Sequence, residues 1–290
     1  MNRDTRNTLI ACGAILAVFC ILIGGVYAYS GVNPPFSTIN SSSMQHINDE
    51  SRIGTIDTGD MVIVKDPDRH DIVTYVEGSK TGYSKFGEYG DVIIYKTQTN
   101  NIIHRAMIHL TLKDIEYHGD EIMCQTWYIP SLEGYNDWTL TKNGSNVLND
   151  DTIWNPVENT IRIEKDHKEI VFELTNVGYS DVDVPIKLWY LGLDKEEGYN
   201  GYLTKGDNAN TNKNFDQTSL SQMRNKLVTE EDIKSIAMME IPWLGCLKLL
   251  INGKNTDQIP TNSIVDLIVS IVVIIAIAFA LNYVLTRKRN

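Results

Sequence analysis

Two stretches of this chain carry no charged residue, Leu9 to Ala28 near the start and Leu267 to Leu285 near the end. A helix needs about 20 apolar residues to cross a bilayer, and each stretch is close to that. Whatever folds in water must therefore lie between them, from Tyr29 to about Ile264. A cleaved leader usually has a shorter apolar run, so the first stretch reads as a retained anchor. A removed leader is the alternative reading, since Arg3 and Arg6 precede the run and Ala28-Tyr29-Ser30 loosely suits cleavage. Basic residues mark the cytoplasmic side of a span. Arg3 and Arg6 precede the first stretch, and Arg287, Lys288 and Arg289 follow the second. Both termini are expected in the cytoplasm, with the middle of the chain on the opposite face.

The middle is acidic. The net charge is −11; the head carries +1 and the tail +3, which leaves −15 between them. Such a balance argues against a nucleic-acid partner. Cys12 and Cys20 fall in the first apolar stretch, where a thiol is a small filler. Cys124 and Cys246 lie outside it and could pair in an oxidising compartment. The six histidines are scattered and no Cys-x-x-Cys occurs, so neither a metal nor another cofactor is expected.

The fold class expected is mainly β. Pro34-Pro35 opens an extended connector. Met61–Val64, Asp91–Tyr95 and Ile102–Ile108 read as strands, the first two opened by Gly-Asp pairs. The Gly-, Ser-, Lys- and Tyr-rich stretch between the first two reads as a loop. Further strands are expected at Ile161–Ile163, Glu169–Leu174, Val184–Tyr190 and Gly201–Thr204, with Pro185 suiting an edge. Residues 205–219 form a polar, Asn-rich loop. Thr229 to Met238 reads as a short helix capped by Thr229 with acids in its first turn. Ile241–Leu247 is apolar and is read either as dipping into the bilayer interface or as a core strand.

Three short motifs carry chemistry, in the order Ser41-Ser42-Ser43-Met44, Ile103-His104-Arg105 and Thr204-Lys205-Gly206-Asp207-Asn208. A serine hydroxyl is a poor nucleophile until a base takes its proton. Histidine suits that task near neutral pH, and an acid on its far ring nitrogen fixes the tautomer. On spacing alone such a trio is weak, because serines and acids abound. His46 and His109 are rival bases.

The local sequences around the trio resemble type I signal peptidases, in particular the archaeal enzymes and the catalytic subunit of the endoplasmic-reticulum complex. The nucleophile box Ser-x-Ser-Met maps onto Ser41 to Met44. The Gly-Asp-hydrophobic box maps onto Gly59 to Val64, and a second onto Gly90 to Ile94. The base box maps onto Ile102 to Arg105 and the acid box onto Thr204 to Asn208. Bacterial relatives have lysine where His104 stands. The likeness covers roughly residues 30–110 and 201–250. Two departures stand out. The family's proline two residues after the Met is His46 here. The second acid of the last box, some six residues on in the family, is Asp216, nine positions after Asp207.

The resemblance implies a membrane-bound serine endopeptidase that removes signal peptides from exported preproteins. Ser43 is then the nucleophile, His104 the base and Asp216 the triad acid, with Asp207 in support; the reverse assignment of the two acids stays open. The Ser41 hydroxyl and the Ser43 peptide N–H would form the oxyanion hole, and Ile39 and Ile63 are candidates for pockets that admit only small side chains. The expected partners are preprotein signal peptides and the lipid bilayer, with the protein-export channel as a further candidate. The expected location is the cell membrane, or the endoplasmic-reticulum membrane in a eukaryote, multi-pass, with the catalytic domain on the outer face. The expected layout is a signal-peptidase-like catalytic β domain with an inserted β-rich subdomain, flanked by two transmembrane helices. It divides as residues 1–8 cytoplasmic, 9–29 anchor, 30–110 and 201–260 catalytic domain, 111–200 insertion, 264–285 transmembrane helix and 286–290 cytoplasmic tail. Two other classes stay open, a membrane-anchored binding module and a catalytically silent subunit of a processing complex.

Overall fold

The computed structural model describes residues 3–287; the ends of the expected cytoplasmic head and tail, residues 1–2 and 288–290, lie outside the described residues. The chain begins with helix α1 (Arg3–Ser30), strands β1 (Phe36–Thr38) and β2 (Met61–Lys65), and helix α2 (Tyr75–Thr81). A small hairpin β3 (Ser84–Lys85) and β4 (Glu88–Tyr89) leads to β5 (Val92–Lys96) and the long β6 (Asn101–His118). The middle contains β7 (Glu121–Tyr128), β8 (Trp138–Lys142), β9 (Ser145–Asn146), β10 (Trp154–Asn155), β11 (Thr160–Glu164), β12 (Val171–Val177) and β13 (Val182–Ile186). The last part holds β14 (Asn200–Lys205), a one-turn helix α3 (Asp216–Ser219), β15 (Ile233–Ile241), α4 (Cys246–Asn252) and α5 (Thr261–Arg287). Among the described residues α1 and α5 are the two helices long and apolar enough to cross a membrane. Everything between them is mainly antiparallel β.

The main sheet runs β1-β2-β15-β5-β6-β7-β11-β10, and β14 pairs with β6. At Arg105 the strand β6 faces Val92 of β5 on one edge and Lys205 of β14 on the other. A second sheet, β13-β12-β8-β9, lies within the middle segment, and β13 with its Pro185 is an edge strand. Strand β6 runs unbroken across position 110, and β7, β11 and β10 extend the main sheet. The two expected regions therefore share one sheet.

Side chains alternate faces along a strand, so a strand covered on both sides reads as a continuous apolar run. Strand β5 shows this. Val92 and Ile94 enter a cluster with Ile39, Met44, Ile56, Val62 and Val64, while Ile93 and Tyr95 enter another with Ala106, Val228 and Ile236. A third, larger cluster fills the middle segment and reaches Leu203 and Phe215 beside the acid loop.

Three expectations are corrected. The stretch expected as a loop before β5 contains α2, started by a capping box between Thr74 and Glu77 and ended at Gly82 in the left-handed conformation. Its Thr74-x-x-Glu77 signature stands in the sequence. Thr229 does cap a turn, Glu230–Asp232, but the chain then becomes strand β15, held between β2 and β5. The strand expected over Val184–Tyr190 stops at Ile186 and gives way to a 3-10 turn at Leu188–Leu191. Segment Ile241–Leu247 is neither wholly core nor wholly exposed. Ile241 ends β15 and Cys246 is buried, whereas Leu244 and Leu247 are exposed. Cys124 and Cys246 are buried free thiols.

Candidate active site

Ser43 sits in a 3-10 turn, Ser42–Met44, just after β1. The next residue explains the turn. Met44 is buried in the cluster with Ile39 and Ile56, which pulls the chain inward and leaves Ser41, Ser42 and Ser43 half-exposed. Gln45, also buried, accepts from the Thr58 N–H and hydroxyl and donates to the carbonyls of Ile47 and Asn48. Ile39 is core rather than a pocket wall, and Ile63 is half-buried.

His104 lies on β6 and is 3% exposed. Its Nδ1 is 2.7 Å from Asp216 Oδ2. The same oxygen accepts from the Tyr95 hydroxyl at 2.7 Å and from the Thr204 hydroxyl at 2.6 Å. Burial first, and the Asp216 charge second, push the Tyr95 phenol far above its ordinary pKa, so it stays a donor. A carboxylate only accepts, so the His104 proton belongs on Nδ1 and the Nε2 lone pair faces away from the acid. Phe215, fully buried in the large core cluster, anchors the residue before Asp216.

Nε2 lies beside the serine turn. A Cβ added to Gly206 would stand 2.5 Å from the Ser43 carbonyl oxygen and 2.9 Å from His104 Nε2, so the two residues meet across a position where only glycine fits. The Ser43 hydroxyl is 3.3 Å from the Ser41 hydroxyl. Among the described residues no hydrogen bond joins Ser43 to His104. Such contacts commonly tighten only when substrate binds.

The neighbouring residue on β6 points the other way. Arg105 is 1% exposed, so both faces of β6 are covered at this point. It grips Asp207 with two bonds, Nε to Oδ1 at 2.8 Å and Nη2 to Oδ2 at 2.5 Å, and donates to the Gly90 carbonyl at 2.8 Å. Burial alone would raise the Asp207 pKa, but the Arg105 guanidinium, with His46, holds its carboxyl well below the usual range. Strand alternation thus sends the two acids to different partners. The β14–β6 register shifts between Leu203 and Thr204, where Met107 is an extra residue on β6.

His46, where the family pattern has proline, stacks on Tyr179 with ring centroids 4.4 Å apart and lies 3.6 Å from Asp207 Oδ2. His109 packs edge-on against Tyr202. Lys205 is buried, and its amine donates to the Gly206 carbonyl at 2.9 Å. Burial lowers its pKa, an effect opposed by Asp207 and Asp216. Four residues were given no role of their own by sequence reasoning. Tyr95 and Thr204 hold Asp216. Asn208 donates its N–H to the Ser43 carbonyl at 3.0 Å and its amide to the Ser42 carbonyl at 2.8 Å, and the Asn212 amide reaches the Ser43 carbonyl at 3.2 Å. Only Thr204 and Asn208 had a signal, their places in the acid box.

Among the described residues no group of three or more His, Cys, Asp or Glu side chains is placed to hold a metal ion. A cleft of about 720 Å³ lies elsewhere, lined by Gly31, Asp66, His70, Tyr202 and Glu230 among others; none of Ser43, His104 and Asp216 lines it. Compared with protein-family profiles, curated proteins and solved structures, the chain matches none of them.

Proposed function

We propose that the chain is a membrane-anchored serine endopeptidase of the signal-peptidase kind. It cuts after the small-x-small segment that follows the apolar helix of an exported preprotein. The observation that carries the reading is the His104–Asp216 pair, with Nε2 left beside the Ser43 turn across Gly206. In this mechanism His104 takes the Ser43 proton as the hydroxyl oxygen attacks the scissile carbonyl. The Ser43 N–H and the Ser41 hydroxyl donate to the oxyanion. The tetrahedral adduct collapses, His104 gives its proton to the leaving amine, and an acyl-enzyme remains. Water, deprotonated by the same imidazole, then hydrolyses the ester and frees the signal peptide. Asp216 orients the ring and stabilises the imidazolium throughout.

The same reading places α1 and α5 across the cell membrane, or the reticulum membrane, with both termini cytoplasmic and the β domain outside. Substrate helices in the same bilayer then arrive at high effective concentration. Signal peptides and lipid are its partners, with the export channel as a further candidate.

The test is cleavage of a preprotein bearing an Ala-x-Ala site by the purified chain in lipid vesicles. Ser43→Ala and His104→Ala abolish cleavage, and an acylating serine probe labels wild type but not Ser43→Ala. Normal turnover by either variant ends the reading. A catalytically silent subunit is the competing reading, favoured by the Ser43 hydroxyl turning to Ser41; absence of both cleavage and labelling in the wild-type chain would support it.

A further inference from the structure

The lead-in to α5 is bonded to the chain on both sides of Ser43. Upstream, the Asn255 amide donates to the Asn40 carbonyl at 2.6 Å, and the Ser42 N–H donates to Gln258 Oε1 at 3.2 Å. Downstream, Asn262 in the first turn of α5 accepts from the Ser51 N–H at 2.8 Å and donates to its carbonyl at 2.9 Å. Asn262 is itself tied along the helix to Asp266 at 2.9 Å, and Trp243 Nε1 donates to the Ser51 hydroxyl at 3.1 Å. These contacts span more than 190 residues of sequence. They join the base of a long apolar helix to the loop that holds the serine.

The Ser42 bond bears most directly on geometry. Ser42 lies between two peptide planes. The plane before it is fixed through its N–H by Gln258, and the plane after it through its carbonyl by Asn208. In a trans peptide the C=O and the next N–H point in opposite directions. The Asn208 grip on the Ser42 carbonyl therefore aims the Ser43 N–H the other way. Gln258 completes the restraint, because a residue pinned in both flanking planes has little freedom left in φ or ψ. Its neighbour Ser43 is then delivered in one orientation relative to His104.

Resting on the nucleophile assigned above, we propose that Gln258 is a positioning residue. Through its acceptor on the Ser42 N–H it couples the seat of α5 to the alignment of the Ser43 hydroxyl and N–H. Among the described residues its side chain is bonded to Ser42 and to neither Ser43 nor His104. A small misplacement of reacting groups costs far more in rate than in stability, since alignment enters the barrier directly.

The test uses the full chain in lipid vesicles, with an Ala-x-Ala peptide as substrate, an acylating serine probe and the thermal midpoint as controls. Gln258→Met keeps the length and removes the acceptor. It is expected to lower kcat and the labelling rate about 10-fold, with KM and the midpoint unchanged. Gln258→Glu keeps an acceptor in place and restores most of the rate. Asn255→Ala, one bond further out, shows a smaller loss in the same direction. Wild-type kcat in Gln258→Met, or equal loss in Gln258→Glu, overturns the proposal. Ser43→Ala separates the two levels. If it still cleaves, the nucleophile is wrong and this inference falls with it; if it is dead and unlabelled while Gln258→Met is normal, only the inference falls.

Discussion

The two faces of β6 make opposite uses of the same chemistry. His104 and Arg105 are consecutive, both are buried, and each meets an aspartate from the loop after β14. On one face the partners are an imidazole and a carboxylate that also accepts from two hydroxyls, Tyr95 and Thr204. An imidazole so held keeps one ring nitrogen as an acceptor. On the other face the partner is a guanidinium, which does not titrate in proteins. That pair, through the Gly90 carbonyl, staples the acid loop to the turn before β5. On the proposed function, whether an acid serves chemistry or architecture is decided by its partner, not by how deeply it is buried.

Substituting each acid by its amide tests this division most strongly. Asp216→Asn keeps the shape but lets the ring take the wrong tautomer. It is expected to lower kcat by about four orders of magnitude with little change in folding. Steady-state kinetics beside a thermal melt measures both at once. Asp207→Asn leaves the Arg105 guanidinium buried without a counter-charge. It is expected to destabilise the chain by about 3–5 kcal/mol, while the folded fraction keeps substantial turnover. If Asp207→Asn is inactive yet fully stable, and Asp216→Asn is active, the two acids have been exchanged.

A third buried aspartate sharpens the contrast by lacking any cation. Asp60 is 1% exposed and accepts from the Trp243 and Asp57 N–H groups, with no ion-pair partner among the described residues. Burial, then repulsion from Asp57 and Glu240, pushes its carboxyl up to about 7. Glu240 beside it is likewise pushed by burial to about 7. The folded chain therefore keeps protons that the unfolded chain releases at ordinary carboxylate pKa values. This contribution to stability is complete below about pH 4 and is lost as pH rises through about 7. The thermal midpoint is expected to fall between pH 5 and pH 8 by melts at fixed ionic strength. Asp60→Asn flattens that slope. Asp207, held low by Arg105, adds no slope in this window.

Several parts of this arrangement were legible in the sequence, and the exceptions have definite causes. Strands β2, β5 and β14 are β-branched or apolar runs, and they lie where the residues predict. The boxes around Ser43, His104 and Asp207 are contiguous, so they could be read without a fold. Strand β15 was read as a helix because its alternation is broken twice. The register shifts between Ile233 and Ser235 and again between Ala237 and Met239. Its buried residues Ile233, Ser235, Ile236 and Ala237 therefore lose the period of two. Helix α2 hid in a composition typical of loops, although its cap was spelled out. The stacking of His46 on Tyr179 joins residues far apart in sequence, and no local pattern announces it. Tyr95 is the clearest illegible case. It lies in an apolar strand and looks like core, and its hydroxyl acquires meaning only when the acid loop folds over it.

Tyr95→Phe is accordingly the finest probe of the proposed catalytic face, and the smallest effect expected. It removes one of three donors from Asp216 Oδ2 and leaves His104 and Thr204 in place. A hydrogen bond to a charged group contributes about 1.5–3 kcal/mol, and part of that is recovered when the neighbours relax. A fall in kcat of about 10-fold is expected, three orders short of Asp216→Asn. Thr204→Val should act similarly. Because both hydroxyls converge on one oxygen, each partly compensates for loss of the other, so the double variant is expected to lose more than the product of the single losses, the signature of a shared acceptor. Strict additivity in that cycle would mean that the hydroxyls support the strand and not the carboxylate, and the proposed catalytic face would then rest on the His104–Asp216 bond alone.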